Sequence, residues 1–293
     1  MCESCGCSDG AKATILNLQT GTKTEIAGDH ASADLGRYLA GHAHGHDHPH
    51  PHPHSHDHAH HHPHAHDHAH GPVVALGEAV LRKNNQLAER NRAWFAGREI
   101  LALNLVSSPG AGKTTLLERT IRDCGHTHAF SVIEGDQATA NDGERIRAAG
   151  APAVQVNTGT GCHLEADMVA RALSALAPAF GSVVMIENVG NLVCPALFDL
   201  GERAKVAIIS VTEGEDKAVK YPHIFQASAL VLINKIDLLP HLRFDIDRCI
   251  ENIRLVNPSA EILRVSATSG EGLERWHAWI AAQRQSVREQ GLG

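Results

Sequence analysis

The chain has 293 residues and a formal charge of −7, from 26 basic and 33 acidic side chains. Its 43% apolar content suffices for a real core, yet no uninterrupted apolar run reaches the roughly 18–20 residues that a membrane span needs. Mild acidity and few aromatics argue against nucleic-acid binding. The charge is uneven: the first 72 residues carry 8 acidic and 3 basic groups, −5 of the total, so the rest is nearly neutral.

The chain opens Met1-Cys2-Glu3-Ser4-Cys5-Gly6-Cys7. It shows no basic n-region or apolar h-region of a secretory signal, so a cytoplasmic, reducing compartment is expected. There a metal is favoured over a disulfide. With the terminal amine as a fourth donor, Cys2, Cys5 and Cys7 suit planar Ni(II) or tetrahedral Zn(II). Residues 1–41 read as a leader around this motif. Next, 16 of the 23 histidines fall between His42 and His70, at nearly every second position. The spacers are Pro, Ala, Asp, Gly and Ser, so residues 42–72 are expected to be disordered. Imidazoles that are mostly neutral near pH 7 bind Ni, Zn, Cu or Co with little geometric selectivity. The competing readings are a tag or a neutral linker, but tags are usually consecutive and terminal.

Residues 73–293 read as one globular domain. Helices are expected at Gly77–Phe95, Lys113–Asp123, Leu164–Leu176 and Gly272–Gln290. Strands are expected at Ile100–Ser107, Ala129–Glu134, Ala153–Val156, Ser182–Glu187, Lys205–Val211, Ala229–Asn234 and Ile262–Val265. Strands apolar throughout and separated by helices imply an α/β fold, a mostly parallel sheet covered on both faces.

Ser107-Ser108-Pro109-Gly110-Ala111-Gly112-Lys113-Thr114-Thr115 lies between an expected strand and an expected helix, the context of a phosphate-binding loop. Gly110, Ala111, Gly112 and Thr115 would offer backbone amides, Lys113 would reach the β- and γ-phosphates, and Thr114 would bind Mg²⁺. The usual first glycine is Ser107 here, and Ser108 stands where a related ATPase class has a second lysine. Asn234-Lys235-Ile236-Asp237 closes another strand. Asp237 can accept from the N1–H and amine of guanine, Asn234 can bond the base edge and the Lys235 stem can cover the ring. Ser266-Ala267-Thr268 offers a second base contact, and together these favour GTP. Asp136 and Glu187 end two more strands, where ligands of open α/β sheets bind. They are read as Mg²⁺- or water-positioning groups, and Gly190 as a γ-phosphate sensor. Solvated strand-end charges are the alternative.

On residue chemistry alone, Cys162, His163 and Cys194 read more readily as buried core cysteines and a capping histidine than as a metal site. Cys124 and Cys249 read as structural. Leu238, Leu239 and Leu242 are candidates for a dimer contact, with core packing as the alternative.

The P-loop, Glu134-Gly135-Asp136, Gly161-Cys162-His163-Leu164-Glu165-Ala166, Glu187-Asn188-Val189-Gly190-Asn191-Leu192-Val193-Cys194-Pro195 and Asn234-Lys235-Ile236-Asp237 occur in one order, behind a Cys-x-x-Cys-Gly-Cys start and a His-rich insert. This set resembles the HypB family, the nickel-incorporation GTPases of nickel–iron hydrogenase maturation. The resemblance implies a slow cytoplasmic P-loop GTPase that uses GTP and Mg²⁺ and forms a nucleotide-promoted homodimer. It also implies work beside a small zinc-containing nickel chaperone (HypA-like) and delivery of Ni²⁺ to the hydrogenase large-subunit precursor. It turns Cys162, His163 and Cys194 into an interfacial site for Ni²⁺ or Zn²⁺, and makes the N-terminal triad a tighter nickel site. The His tract becomes a nickel store, and Lys217 and Lys220 lie near a nucleotide or dimer contact. Two other readings stand beside it. One is a nickel-storage protein with a vestigial GTPase. The other is a urease-serving metallochaperone GTPase, whose Cys-Pro-His site is matched here only by Cys162-His163 and a proline after Cys194.

Overall fold

The computed structural model describes residues 13–26, 71–136, 141–159 and 161–291. Cys2, Cys5, Cys7 and the tract from His42 to His70 lie outside them. The strands are β1 (Thr14–Asn17), β2 (Lys23–Glu25), β3 (Leu101–Ser107), β4 (Phe130–Asp136), β5 (Ala153–Asn157), β6 (Val183–Glu187), β7 (Ala204–Ser210), β8 (Ser228–Asn234) and β9 (Glu261–Arg264). The helices are α1 (Gly71–Ala96), α2 (Lys113–Cys124), α3 (Asn141–Ala148), α4 (Ala166–Leu176), α5 (Cys194–Leu197), α6 (Lys217–Lys220), α7 (Pro222–Gln226), α8 (Ile246–Val256) and α9 (Leu273–Gly291), with a 3-10 turn at Ile236–His241.

These strands form one sheet in the order β2-β1-β5-β4-β6-β3-β7-β8-β9. From β5 to β9 every pairing is parallel. The central strands are buried on both faces, which is why they are apolar without alternation: all seven residues of β3 are buried. Side chains still alternate in direction. Leu101, Leu103 and Leu105 join Leu116, Leu117 and Ile121 of α2 and Leu273, Trp276 and Ile280 of α9. Ala102, from the opposite face, joins Phe95 of α1 and Val169, Ala172 and Leu173 of α4. Each fully buried side chain of this kind stabilises by about 1.5–3 kcal/mol. Trp276 closes the first layer with its polar end satisfied, since its Nε1–H donates to Thr120 Oγ1 at 2.9 Å.

The seven expected strands and four expected helices are all present, with ends shifted by at most six residues. The largest shift is at α1, which begins at Gly71 rather than Gly77. Pro72 falls in its first turn, where a missing N–H breaks no helical bond. Residues 14–25, read as part of the leader, form a hairpin whose first strand pairs antiparallel with β5, Thr14 opposite Asn157. β2 is three residues long and wholly exposed, so it carries no apolar period to reveal it.

Candidate functional site

β3 ends at Ser107 and α2 begins at Lys113, so the loop between them lies at the C-terminal edge of the sheet, where open α/β folds bind ligands. Gly110 and Gly112 take φ of 76° and 92°, a left-handed backbone open to glycine at little cost. A Cβ on Gly112 would also stand 2.6 Å from Asn234 Nδ2. The loop lines a cavity of about 550 Å³ that also takes in Glu134, Asp136, Asp142, Arg145, Glu187, Gly190 and Lys235.

Two carboxylates face each other across its floor, because β4 and β6 pair with Glu134 opposite Glu187. Glu187 Oε1 accepts from Thr114 Oγ1 at 2.7 Å and lies 3.8 Å from Lys113 Nζ. Burial nevertheless raises its pKa, outweighing the nearby lysine and the threonine bond. Glu134 is pushed up to about 9, mainly by burial and further by the charges of Glu187 and Asp136. One oxygen of each, Oε2, is buried without a hydrogen-bond partner. An all-oxygen donor set with unsatisfied buried carboxylates fits a hard divalent cation; Thr114 and Glu187 are in contact there, and Asp136 lines the same cavity. Sequence reasoning missed Glu134, Asp142 and Arg145. Only the strand register aims Glu134 at Glu187, and only the fold brings Arg145 to Thr115, to whose Oγ1 its Nη2 donates at 3.2 Å.

At the base end, Asn234 Nδ2 donates to Ala111 O at 2.9 Å and its Oδ1 accepts from Ala267 N at 3.2 Å. Lys235, in a left-handed conformation at φ 64°, donates to Gly110 O at 2.7 Å. Ser266 Oγ donates to Asp237 Oδ1. Asn234, Lys235, Asp237, Ser266 and Ala267 are therefore gathered around the loop. Lys217 also arrives there, its Nζ donating to Ser108 Oγ at 3.1 Å, whereas Lys220 pairs with Asp216 on the surface.

Gly190 sits against the same loop: a Cβ there would meet Pro109 backbone at 3.3 Å. Four residues on, Cys194 opens α5. Its Sγ lies 2.7 Å from Cys162 Sγ, and His163 Nδ1 lies 3.6 Å from Cys162 Sγ. The three donor atoms fall within 4.8 Å of one another. Cys194 is drawn below the usual thiol pKa by the hydrogen bond from Cys162, and Cys162 is pushed up by that same bond and by burial. Two sulfurs and an imidazole this close make a soft donor set. The His163 ring packs on Phe198, centroids 3.9 Å apart. Cys162, His163 and Cys194 are thus brought together, which the core-packing reading did not foresee because they lie 32 residues apart. Cys249 is buried and raised to about 12 by that burial, and Cys124 is raised as well, by burial first. Leu238 and Leu239 pack partly on the core, while Leu242 is 39% exposed.

Comparison with known proteins agrees with this geometry. The family model "CobW/HypB/UreG, nucleotide-binding domain" matches residues 101–264. The hydrogenase maturation factor HypB of Escherichia coli K12 is 60% identical over 205 residues, covering 70% of this chain and 71% of that protein. HypB of Cupriavidus necator is 44% identical over 326 aligned positions, covering 96% and 88%; that alignment therefore extends into the leader and the His tract. The crystal structure of HypB from Helicobacter pylori in complex with nickel is similar at a TM-score of 0.66 and 35% identity, covering 70% of this chain and 96% of that one. Among the described residues no helix is long and apolar enough to cross a membrane.

Proposed function

The chain belongs to the HypB family of hydrogenase maturation factors, P-loop GTPases, and from that premise we propose that it is a slow, cytoplasmic GTPase whose turnover releases nickel to the large-subunit precursor of a nickel–iron hydrogenase. The observation that carries this reading is the short path from phosphate cavity to thiol: Glu187, Gly190 and Cys194 follow one another within eight residues. Across that path Asn191 Nδ2 reaches Cys162 O at 3.4 Å.

In this reading the loop amides, Lys113 and the start of α2 hold the phosphates, and Asp237 selects guanine. A water attacks the γ-phosphorus, the bond to the β–γ bridging oxygen breaks, and GDP and phosphate leave. Glu187 and Asp136 orient that water. Mg²⁺, when bound by Thr114, Glu187 and Asp136, would supply positive charge for the oxygens on which negative charge grows. With the γ-phosphate gone, the Gly190 segment withdraws from Pro109 and carries Cys194 away from Cys162 and His163, which loosens the nickel. Zn²⁺ would fit the same donors.

The N-terminal triad and the His tract supply the cargo. β1 fixes residue 14 beside Asn157, five residues from Cys162. The tract stores nickel. The working unit is a nucleotide-promoted homodimer using Leu238, Leu239 and Leu242, beside a small zinc-containing nickel chaperone of the HypA kind.

Nickel titration at buffered free metal tests this, in the GDP state and with a non-hydrolysable GTP analogue. A chain lacking residues 42–70 is the useful deletion, since truncation at Val73 would strip β1 and β2 from the sheet. The deletion should lower stoichiometry while leaving the nucleotide-dependent nickel, which Cys162→Ser should abolish. Equal nickel affinity in both states of the full chain would sink the coupling.

A further inference from the structure

Beside the thiol–imidazole cluster runs a buried polar network, outside the Cys162, His163 and Cys194 set, that reaches the phosphate cavity at Asn188. At its centre is Asn188, 1% exposed. Its Oδ1 accepts from Leu164 N at 3.2 Å and from Val189 N at 3.0 Å. Its Nδ2 donates to Asn104 Oδ1 at 3.3 Å. Asn104 Nδ2 in turn donates to Glu202 Oε1 at 3.0 Å, which pairs with Lys205 Nζ at 2.7 Å. Lys205 donates to Phe198 O at 3.1 Å, and the Phe198 ring lies on His163. The path thus leaves residue 164, passes through the sheet and returns to the ring of residue 163.

The position of Asn188 matters more than the bond count. It follows Glu187, which touches Thr114, and precedes Gly190, which touches Pro109. Its bond from Leu164 N–H, 24 residues away in the chain, ties it to the amide next to His163. A displacement of about 1 Å of this segment takes the Leu164 contact beyond hydrogen-bond range. Leu164 is wholly buried, so its N–H would then lack a partner away from water, a costly state. Residues 162–164 must therefore follow the segment or resist it. Asparagine is the side chain that accepts from two amides and donates to Asn104 at once. An alanine does neither.

We propose that Asn188 is a positioning residue that transmits the nucleotide state to the metal ligands, by holding Leu164, and through it Cys162 and His163, in step with residues 187–191. By reciprocity a metal on Cys162 and His163 restrains the same segment. This deepens the reading of Cys162, His163 and Cys194 as the regulated metal site and rests on it.

The test uses the full chain with Cys2, Cys5 and Cys7 changed to Ser, titrated with nickel alone at buffered free metal. The readout is thiolate-to-nickel charge-transfer absorption, which the histidines do not give. No such absorption in either nucleotide state overturns the metal-site reading itself. With absorption present, the ratio of nickel affinities between the GDP and GTP-analogue states should be at least about fivefold in this parent and fall to within about twofold in Asn188→Ala. A merely structural role would weaken nickel equally in both states and keep the ratio, which overturns the proposal. Amide hydrogen exchange at Leu164 in the metal-free parent decides the matter even where Asn188→Ala does not fold. Protection that changes with nucleotide supports Asn188 as the link, and identical protection in both states overturns it.

Discussion

The two buried clusters at the C-terminal edge of the sheet differ in what holds them together. The phosphate cluster is built of oxygen: Glu134, Glu187 and Thr114 lie on strand ends and a helix start whose positions follow from the sheet register. The second is built of sulfur and imidazole, on the loop of Cys162 and His163 and the first turn of α5, with asparagine bonds from residues 188 and 191 beside it. The first is set by regular secondary structure. The second depends on side chains that can let go. A carboxylate cluster joined by one short segment to a thiol–imidazole cluster is an arrangement in which a change at the first can disturb the second.

The strongest way to break this contrast is Lys113→Ala. Loss of that cation from a preorganised phosphate site should lower kcat/KM for GTP hydrolysis by about 10²–10³, measured by phosphate release. A variant within tenfold of the parent, or one that still matures hydrogenase fully, would favour the nickel-store reading with a vestigial GTPase. Next in size, Cys194→Ser should weaken nickel at the thiol site by more than the roughly 10–100-fold that loss of an outer-shell partner costs, read by competition with a chelator. Unchanged affinity would mean that the two loops do not share a metal.

The smallest effect concerns pH. Glu134 has a folded pKa raised from near 4.5 to about 9. The sign follows: its contribution to stability is complete below the unfolded value and is lost as pH rises towards the folded one. Nucleotide- and Mg²⁺-free protein should therefore lose a few degrees of Tm between about pH 5 and pH 9, and Glu134→Gln should flatten that slope. Parallel slopes would show that Glu134 is not the buried acid.

How far the sequence could be read depended on whether a signal was local. The glycine-rich loop, Asn234-Lys235-Ile236-Asp237 and the apolar runs of β3 to β9 declare themselves within a few residues, because backbone demands and burial on both faces act locally. The hairpin of β1 and β2 did not, since short exposed strands gain their stability by pairing with an edge already present. Glu134, though inside the Glu134-Gly135-Asp136 motif, was given no role and Arg145 was missed, because each matters through a partner at least 27 residues away.

Sequence alone determined the fold class, the glycine-rich loop between strand and helix, and the family resemblance, since all of these rest on residues close together in the chain. The tertiary structure decided that Cys162, His163 and Cys194 meet, that Glu134 faces Glu187, and that Asn188 holds the Leu164 amide. Each of these is a contact across the sheet or between loops, and its energy exists only once the strands have fixed their register.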